Sequence, residues 1–181
     1  MLIRYLLMIV DFVFFRYSRQ LTYLMVAVIG IILSKKYGKA DSVRIGGACV
    51  LLAAAFAAEY FLPLLMSKSM NQTVYFIVLF GSYIIRYAAM IIAFKIFCGY
   101  KLTKMVGFLF IIAIVVCFFY CLFRVRVIFG IGSFVNGIDK GTSFLMAFFN
   151  NEKALNFVSI LLSLVPPISL CIDGFLTIKK D

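Results

Sequence analysis

The sequence MVGFLFIIAIVVCFFYCLF, residues 105–123, decides the fold, because it runs on without a single charged side chain. A helix needs about 20 consecutive apolar residues to cross the hydrocarbon core of a bilayer. A run of this length and uniformity therefore predicts a transmembrane helix, and the same pattern recurs along the rest of the chain.

The composition extends this interpretation to the whole protein. Hydrophobic residues make up 65% of the 181 residues, charged residues only 14%, and the mean hydropathy is +1.12. Soluble domains contain roughly 45–50% apolar residues. Backbone groups in lipid must be satisfied internally, so spanning segments are helices or closed barrels. Because the runs are long and do not alternate, we predict an all-α, polytopic transmembrane helix bundle.

The chain divides into about five spans plus an N-terminal interfacial helix, all within a single membrane domain of residues 1–181. Residues 1–20 are predicted to be interfacial, with a short extra span over 2–15 as the alternative. Residues 127–154 are rich in glycine, too polar for a simple span and too apolar for a free loop. We predict that they form an interfacial or re-entrant segment. The predicted spans are 21–34, 45–66, 75–98, 105–123 and 155–178.

Basic residues are concentrated in the loops at one end of the predicted bundle, and the formal net charge is +11. Cytoplasmic loops of membrane proteins carry an excess of Lys and Arg, which also attract anionic lipid. We therefore predict a bacterial inner-membrane protein with a cytoplasmic C-terminus, in contact with lipid and with a partner protein but not directly with nucleic acid. The loop residues predicted to face the partner or the lipid are Lys35, Lys36, Lys39, Arg44, Lys101 and Lys104.

Two charged residues of opposite sign lie inside predicted spans that a short loop connects. A charge at the centre of a spanning helix costs about 2.5–3.5 kcal/mol on insertion scales. Counting from the loop places Glu59 about one helical turn from the level of Arg86, within reach of an arginine side chain. We predict that the two form an intramembrane polar pair. Its role is either to hold two helices in register, which we favour, or to line an ion pathway.

The last predicted span contains a proline pair, Pro166 and Pro167, followed six residues later by Asp173. Proline lacks the backbone N–H that a helix needs, and broken helices form ion or substrate sites in some transporters. We therefore consider a broken-helix site at these three residues, although a simple kink is the interpretation we favour.

Several chemistries are excluded or disfavoured by residue type. The sequence has no histidine, which rules out Ser-His-Asp triads and histidine-based metal sites. Cys117 and Cys121 share a helix face and could bind a soft metal, but buried thiols usually act as small hydrophobes. We predict no catalytic residue, no metal and no cofactor.

These features favour a non-catalytic membrane subunit that anchors or senses at the membrane and couples to a partner protein. A homo-oligomer is expected. The biological setting would be a bacterial defence, stress or toxin-immunity system. The alternative is a small oligomeric channel or transporter component that uses Glu59, Arg86 and Asp173.

Overall fold

The computed structural model describes residues 2–37, 40–64, 71–129 and 152–178, and every secondary-structure element within them is an α-helix. The elements are α1 (Leu2–Tyr37), α2 (Ser42–Leu64), α3 (Gln72–Cys98), α4 (Lys104–Phe129) and α5 (Glu152–Ile178). The predicted all-α class is therefore confirmed. Most of the segment predicted to be interfacial or re-entrant, residues 130–151, lies outside the described residues, as do Lys39 and residues 179–181.

Within the described ranges, four helices are long and apolar enough to cross a membrane. These are Ser42–Leu62, Gln72–Cys98, Lys104–Val125 and Ala154–Thr177, and the third has the highest mean hydropathy, 2.9. They coincide with four of the five predicted spans. The protein is thus an integral membrane protein by the length and composition of its helices.

The fifth predicted span, 21–34, is part of α1, which also includes the segment predicted to be interfacial. This helix continues without a break from Leu2 to Tyr37, a length of about 54 Å at about 1.5 Å per residue. A separate short span over 2–15, the alternative prediction, would need a tight turn before residue 21, and this helix has none there. No glycine or proline occurs before Gly30 to favour such a turn.

The helix ends follow local capping rules. The Asn71 side chain accepts a hydrogen bond of 3.0 Å from the backbone N–H of Thr73 and so begins α3. Gly99 ends the same helix in the left-handed conformation, with a φ of 63° that favours glycine. These caps define where α3 begins and ends.

Helix α3 occupies the centre of the bundle and packs against each of the other four helices. Its buried face carries large side chains that include Tyr83, Arg86, Tyr87, Phe94 and Phe97. Two glycines on neighbouring helices let this face approach closely. A Cβ atom at Gly30 would overlap the ring of Phe97, and a Cβ atom at Gly174 would overlap the ring of Phe94. Small residues at such contacts are typical of membrane helix packing.

Candidate functional site

The two charges predicted to pair lie against each other at the centre of the bundle. Nη1 of Arg86 is 3.4 Å from Oε1 of Glu59, and the side chains are 0% and 4% exposed. The pair joins α2 to α3, the two helices on either side of the short connection used for the sequence prediction. The contact between Glu59 and Arg86 that the loop spacing predicts is therefore present in the structure.

The guanidinium of Arg86 also binds two further helices. Nη1 donates to the Ser163 hydroxyl at 3.2 Å, and Nη2 donates to the Ser163 carbonyl oxygen at 3.1 Å. Nη2 also donates to the hydroxyl of Thr22 on α1. Glu59 accepts a second hydrogen bond, of 3.0 Å, from the hydroxyl of Tyr23. One arginine thus connects α1, α2, α3 and α5, and we call these five residues the Arg86 cluster.

The electrostatics of the Arg86 cluster favour a structural role. A buried ion pair repays its desolvation only where good geometry and further hydrogen bonds satisfy the remaining donors and acceptors. Here both Nη atoms and both carboxylate oxygens have partners, and the Tyr23 ring lies 5.6 Å from Cζ of Arg86. Within the Arg86 cluster, Nε of Arg86 is the one buried side-chain nitrogen without a hydrogen-bond partner in the described part of the chain. The arrangement holds two opposite charges and four helices in one geometry.

The proline pair does not break α5, which remains helical from Glu152 to Ile178. In a regular helix the N–H groups of residues 166 and 167 would bond to the carbonyls of Leu162 and Ser163. Prolines cannot donate these bonds, so both carbonyls need other partners. The Tyr87 hydroxyl donates to the Leu162 carbonyl at 2.8 Å, and Arg86 donates to that of Ser163. Two adjacent side chains of α3 therefore replace the two missing backbone donors.

Asp173 does not belong to a site with the proline pair, so the interpretation of a broken-helix site was wrong. Its carboxylate oxygen Oδ2 accepts hydrogen bonds from the Tyr100 hydroxyl and, at 2.9 Å, from the Thr103 hydroxyl. The Thr103 hydroxyl in turn accepts from the N–H of Val106 in the first turn of α4, at 3.4 Å. Asp173 thus fixes the connection between α3 and α4 to the last turns of α5.

Tyr100 lies between the spans, in the connection from α3 to α4, and its environment raises its pKa from 10 to about 12. Burial is the largest cause, because it penalises the phenolate. The hydrogen bond donated to Asp173 adds to the shift, since it is lost when the hydroxyl ionises. The neutral form of Tyr100 is therefore the one that the fold stabilises.

The basic residues predicted for the two loops at this end lie mostly within the helix ends, with Lys101 in the connection from α3 to α4, and those that the structure describes are exposed. Lys35, Lys36 and Arg44 are exposed where α1 meets α2, and Lys101 and Lys104 are exposed where α3 meets α4. The bond from Tyr100 to Asp173, together with a contact of 3.8 Å between the Cys98 thiol and the Gly30 carbonyl, places these helix ends at one end of the bundle. We call this the basic end.

Four hydroxyl groups that complete the Arg86 cluster and cap the proline pair were not predicted from the sequence, namely those of Thr22, Tyr23, Tyr87 and Ser163. Each is a polar group in a largely apolar run, which is the signal that could have identified them. Their partners lie 36 to 77 residues away in sequence. Spacing along the chain therefore gave no means of pairing them.

Comparison with known proteins adds nothing to the geometry: no protein-family model, curated protein or solved structure matches this chain.

We predict that removing one charge of the ion pair destabilises the bundle strongly. Glu59→Gln or Arg86→Met alone should lower the free energy of unfolding by about 3–5 kcal/mol, because each leaves an uncompensated buried charge. The double variant should lower it by less than the sum of the two single variants. Equilibrium unfolding in detergent micelles measures all four proteins. Lys95→Met, which removes an exposed cation from the same helix, serves as the control and should change stability little.

We also predict a pH dependence that originates at Tyr100. Because the pKa of Tyr100 is raised in the folded state, its contribution to the stability of the fold is complete below pH 10. This contribution is lost as the pH rises towards 12. The stability difference between wild type and Tyr100→Phe should therefore shrink over this range. Comparing the two proteins cancels the titration of the other tyrosines and lysines. A difference that stays constant from pH 8 to pH 11.5 would contradict the assignment.

Proposed function

We propose that this chain is a non-catalytic integral membrane subunit that anchors at the membrane and couples to a partner protein through its basic end. The observation that carries the proposal is the contrast between the two groups of charges. The buried charges of Glu59 and Arg86 compensate one another, whereas the described cations of the basic end are exposed.

The first support comes from the Arg86 cluster. Arg86 is completely buried and binds acceptors on α1, α2 and α5. Opening a polar pathway there would leave a charge without partners in the bundle interior, at a cost of several kcal/mol. Such a cluster suits a rigid scaffold, in which α3 holds the surrounding helices in a fixed arrangement.

The second support comes from the charge of the basic end. Five cations are exposed among the described residues of the basic end, whereas the acids there are Asp41, which is exposed, and Asp173, which is engaged by Tyr100 and Thr103. Exposed cations with few nearby acids attract an acidic surface and speed association with it. From the positive-inside rule we propose that this end and the C-terminus lie in the cytoplasm, in a bacterial inner membrane. We therefore propose a cytoplasmic partner with an acidic docking surface.

A channel or transporter component is the alternative function. It requires Glu59, Arg86 and Asp173 to face an ion or solute pathway. Glu59 and Arg86 instead bond to each other, and Asp173 bonds to hydroxyls of the connection from α3 to α4. No geometric observation in the described residues favours this function over a scaffold.

We expect charge reversal in the last turn of α1 to release the partner. Lys35→Glu/Lys36→Glu should abolish a stoichiometric complex that the wild-type protein forms when it is purified from its native host in mild detergent. The complex should also weaken as the salt concentration rises, because the contact is electrostatic. Size exclusion with light scattering gives the mass of the complex and its stoichiometry.

The matched control is Lys35→Arg/Lys36→Arg, which keeps both charges and should keep the complex. Cysteine labelling of an added C-terminal residue checks that neither variant changes the topology. A wild-type protein that purifies without a partner, and conducts ions in liposomes in a way that Glu59→Gln abolishes, would replace the proposal with the channel function.

A further inference from the structure

An apolar groove runs between α4 and α5 on the membrane-facing side of the bundle. Its volume is about 270 Å³, and every residue that lines it is apolar. The residues that define its two walls are Leu109, Ile112 and Val116 on α4, and Leu161, Val165 and Pro166 on α5. The wall on α4 extends over about 10 Å at about 1.5 Å per residue, which suits part of one lipid acyl chain.

Side chains of α3 satisfy the carbonyls that the proline pair leaves free beside this groove. Pro166 lines the groove and frees the carbonyl of Leu162, another lining residue. That carbonyl accepts its hydrogen bond from Tyr87 of α3, and the Ser163 carbonyl accepts from Arg86. Because both freed carbonyls are satisfied within the bundle, the groove offers hydrocarbon surface without a competing polar site.

The groove begins close to the basic end. The hydrogen bond from Thr103 to Asp173 aligns the start of α4 with the last turns of α5. Leu109 lies six residues beyond Thr103, so the groove starts about 9 Å from this level. One ridge of α4, formed by every fourth residue, carries Lys104 as well as Ile112 and Val116 of the groove. Lys101 and Lys104 are both exposed at this level.

We propose that an anionic phospholipid of the leaflet at the basic end occupies this groove. One acyl chain lies between α4 and α5, and the phosphate group pairs with the ammonium groups of Lys101 and Lys104. Basic residues beside a gap between spanning helices are a recognised binding arrangement for anionic headgroups. The charge of the two lysines favours an anionic lipid over a zwitterionic one, and the apolar groove binds one of its acyl chains.

The absence of tryptophan from the chain gives a direct test with a single fluorescent reporter. Phe108→Trp places the indole between Lys104 and Ile112 on the same ridge, at a side chain that is 65% exposed. The protein is reconstituted into vesicles that contain either brominated phosphatidylglycerol or brominated phosphatidylcholine as the quencher. Val50→Trp on α2, at a side chain that is 69% exposed, reports on lipid away from the groove.

At the Phe108→Trp reporter we expect phosphatidylglycerol to associate at least about fivefold more strongly than phosphatidylcholine, since one lysine near the surface contributes about 1 kcal/mol. Lys101→Ala/Lys104→Ala should remove the preference, and Lys101→Arg/Lys104→Arg should retain it. At the Val50→Trp reporter, which lies near Arg44 instead, Lys101→Ala/Lys104→Ala should leave the relative quenching by the two lipids unchanged.

Three outcomes would overturn the proposal. The two lipids could quench the Phe108→Trp reporter equally, or the preference could survive the double alanine substitution. Alternatively, neither lipid could quench this reporter while both quench the Val50→Trp reporter, in which case a protein surface, such as a second copy of the chain, covers the groove. The vesicles contain only the purified protein, so these results do not depend on the partner of the proposed function.

Discussion

The desolvation of one arginine side chain constrains how the rest of the bundle is arranged. Arg86 lies near the middle of α3 and is 0% exposed, and a charge at this depth is tolerated only where protein groups replace water. Those groups come from three other helices, through Thr22, Glu59 and Ser163. Moving any of these helices along its axis by a turn would separate at least one partner from the guanidinium. The register of α1, α2 and α5 against α3 is thus fixed by one side chain.

The proline pair of α5 depends on the same part of α3. Arg86 and its neighbour Tyr87 donate to the two carbonyls that the prolines leave free, so α5 stays helical through a sequence that usually kinks or ends a helix. These two hydrogen bonds act on both sides of α5. On the inner side they strengthen the packing against α3, and on the outer side they leave the groove towards α4 lined by apolar residues. Towards the basic end, α5 then presents Asp173 to Tyr100 and Thr103.

Sequence reasoning predicted the helical class and four of the spans because long apolar runs have one physical solution in lipid. It also predicted the contact between Glu59 and Arg86, since a short loop fixes the relative level of two consecutive helices. It failed where contacts join non-consecutive helices, as with Tyr87 and α5, because no spacing rule sets those levels. At Asp173 the broken-helix site, considered beside the favoured kink, does not form, because α5 stays helical and side chains of α3 satisfy the freed carbonyls.

Side chains of α3 stand in for the missing backbone donors of α5. A double-mutant cycle between Tyr87→Phe and Pro166→Ala measures this substitution, because the alanine restores an N–H to the Leu162 carbonyl. In the wild-type background the loss of the Tyr87 hydroxyl should lower the free energy of unfolding by about 1–3 kcal/mol, as it leaves a buried carbonyl unsatisfied. In the Pro166→Ala background we expect most of this loss to disappear. An equal loss in both backgrounds would mean that Tyr87 does not replace the missing donor.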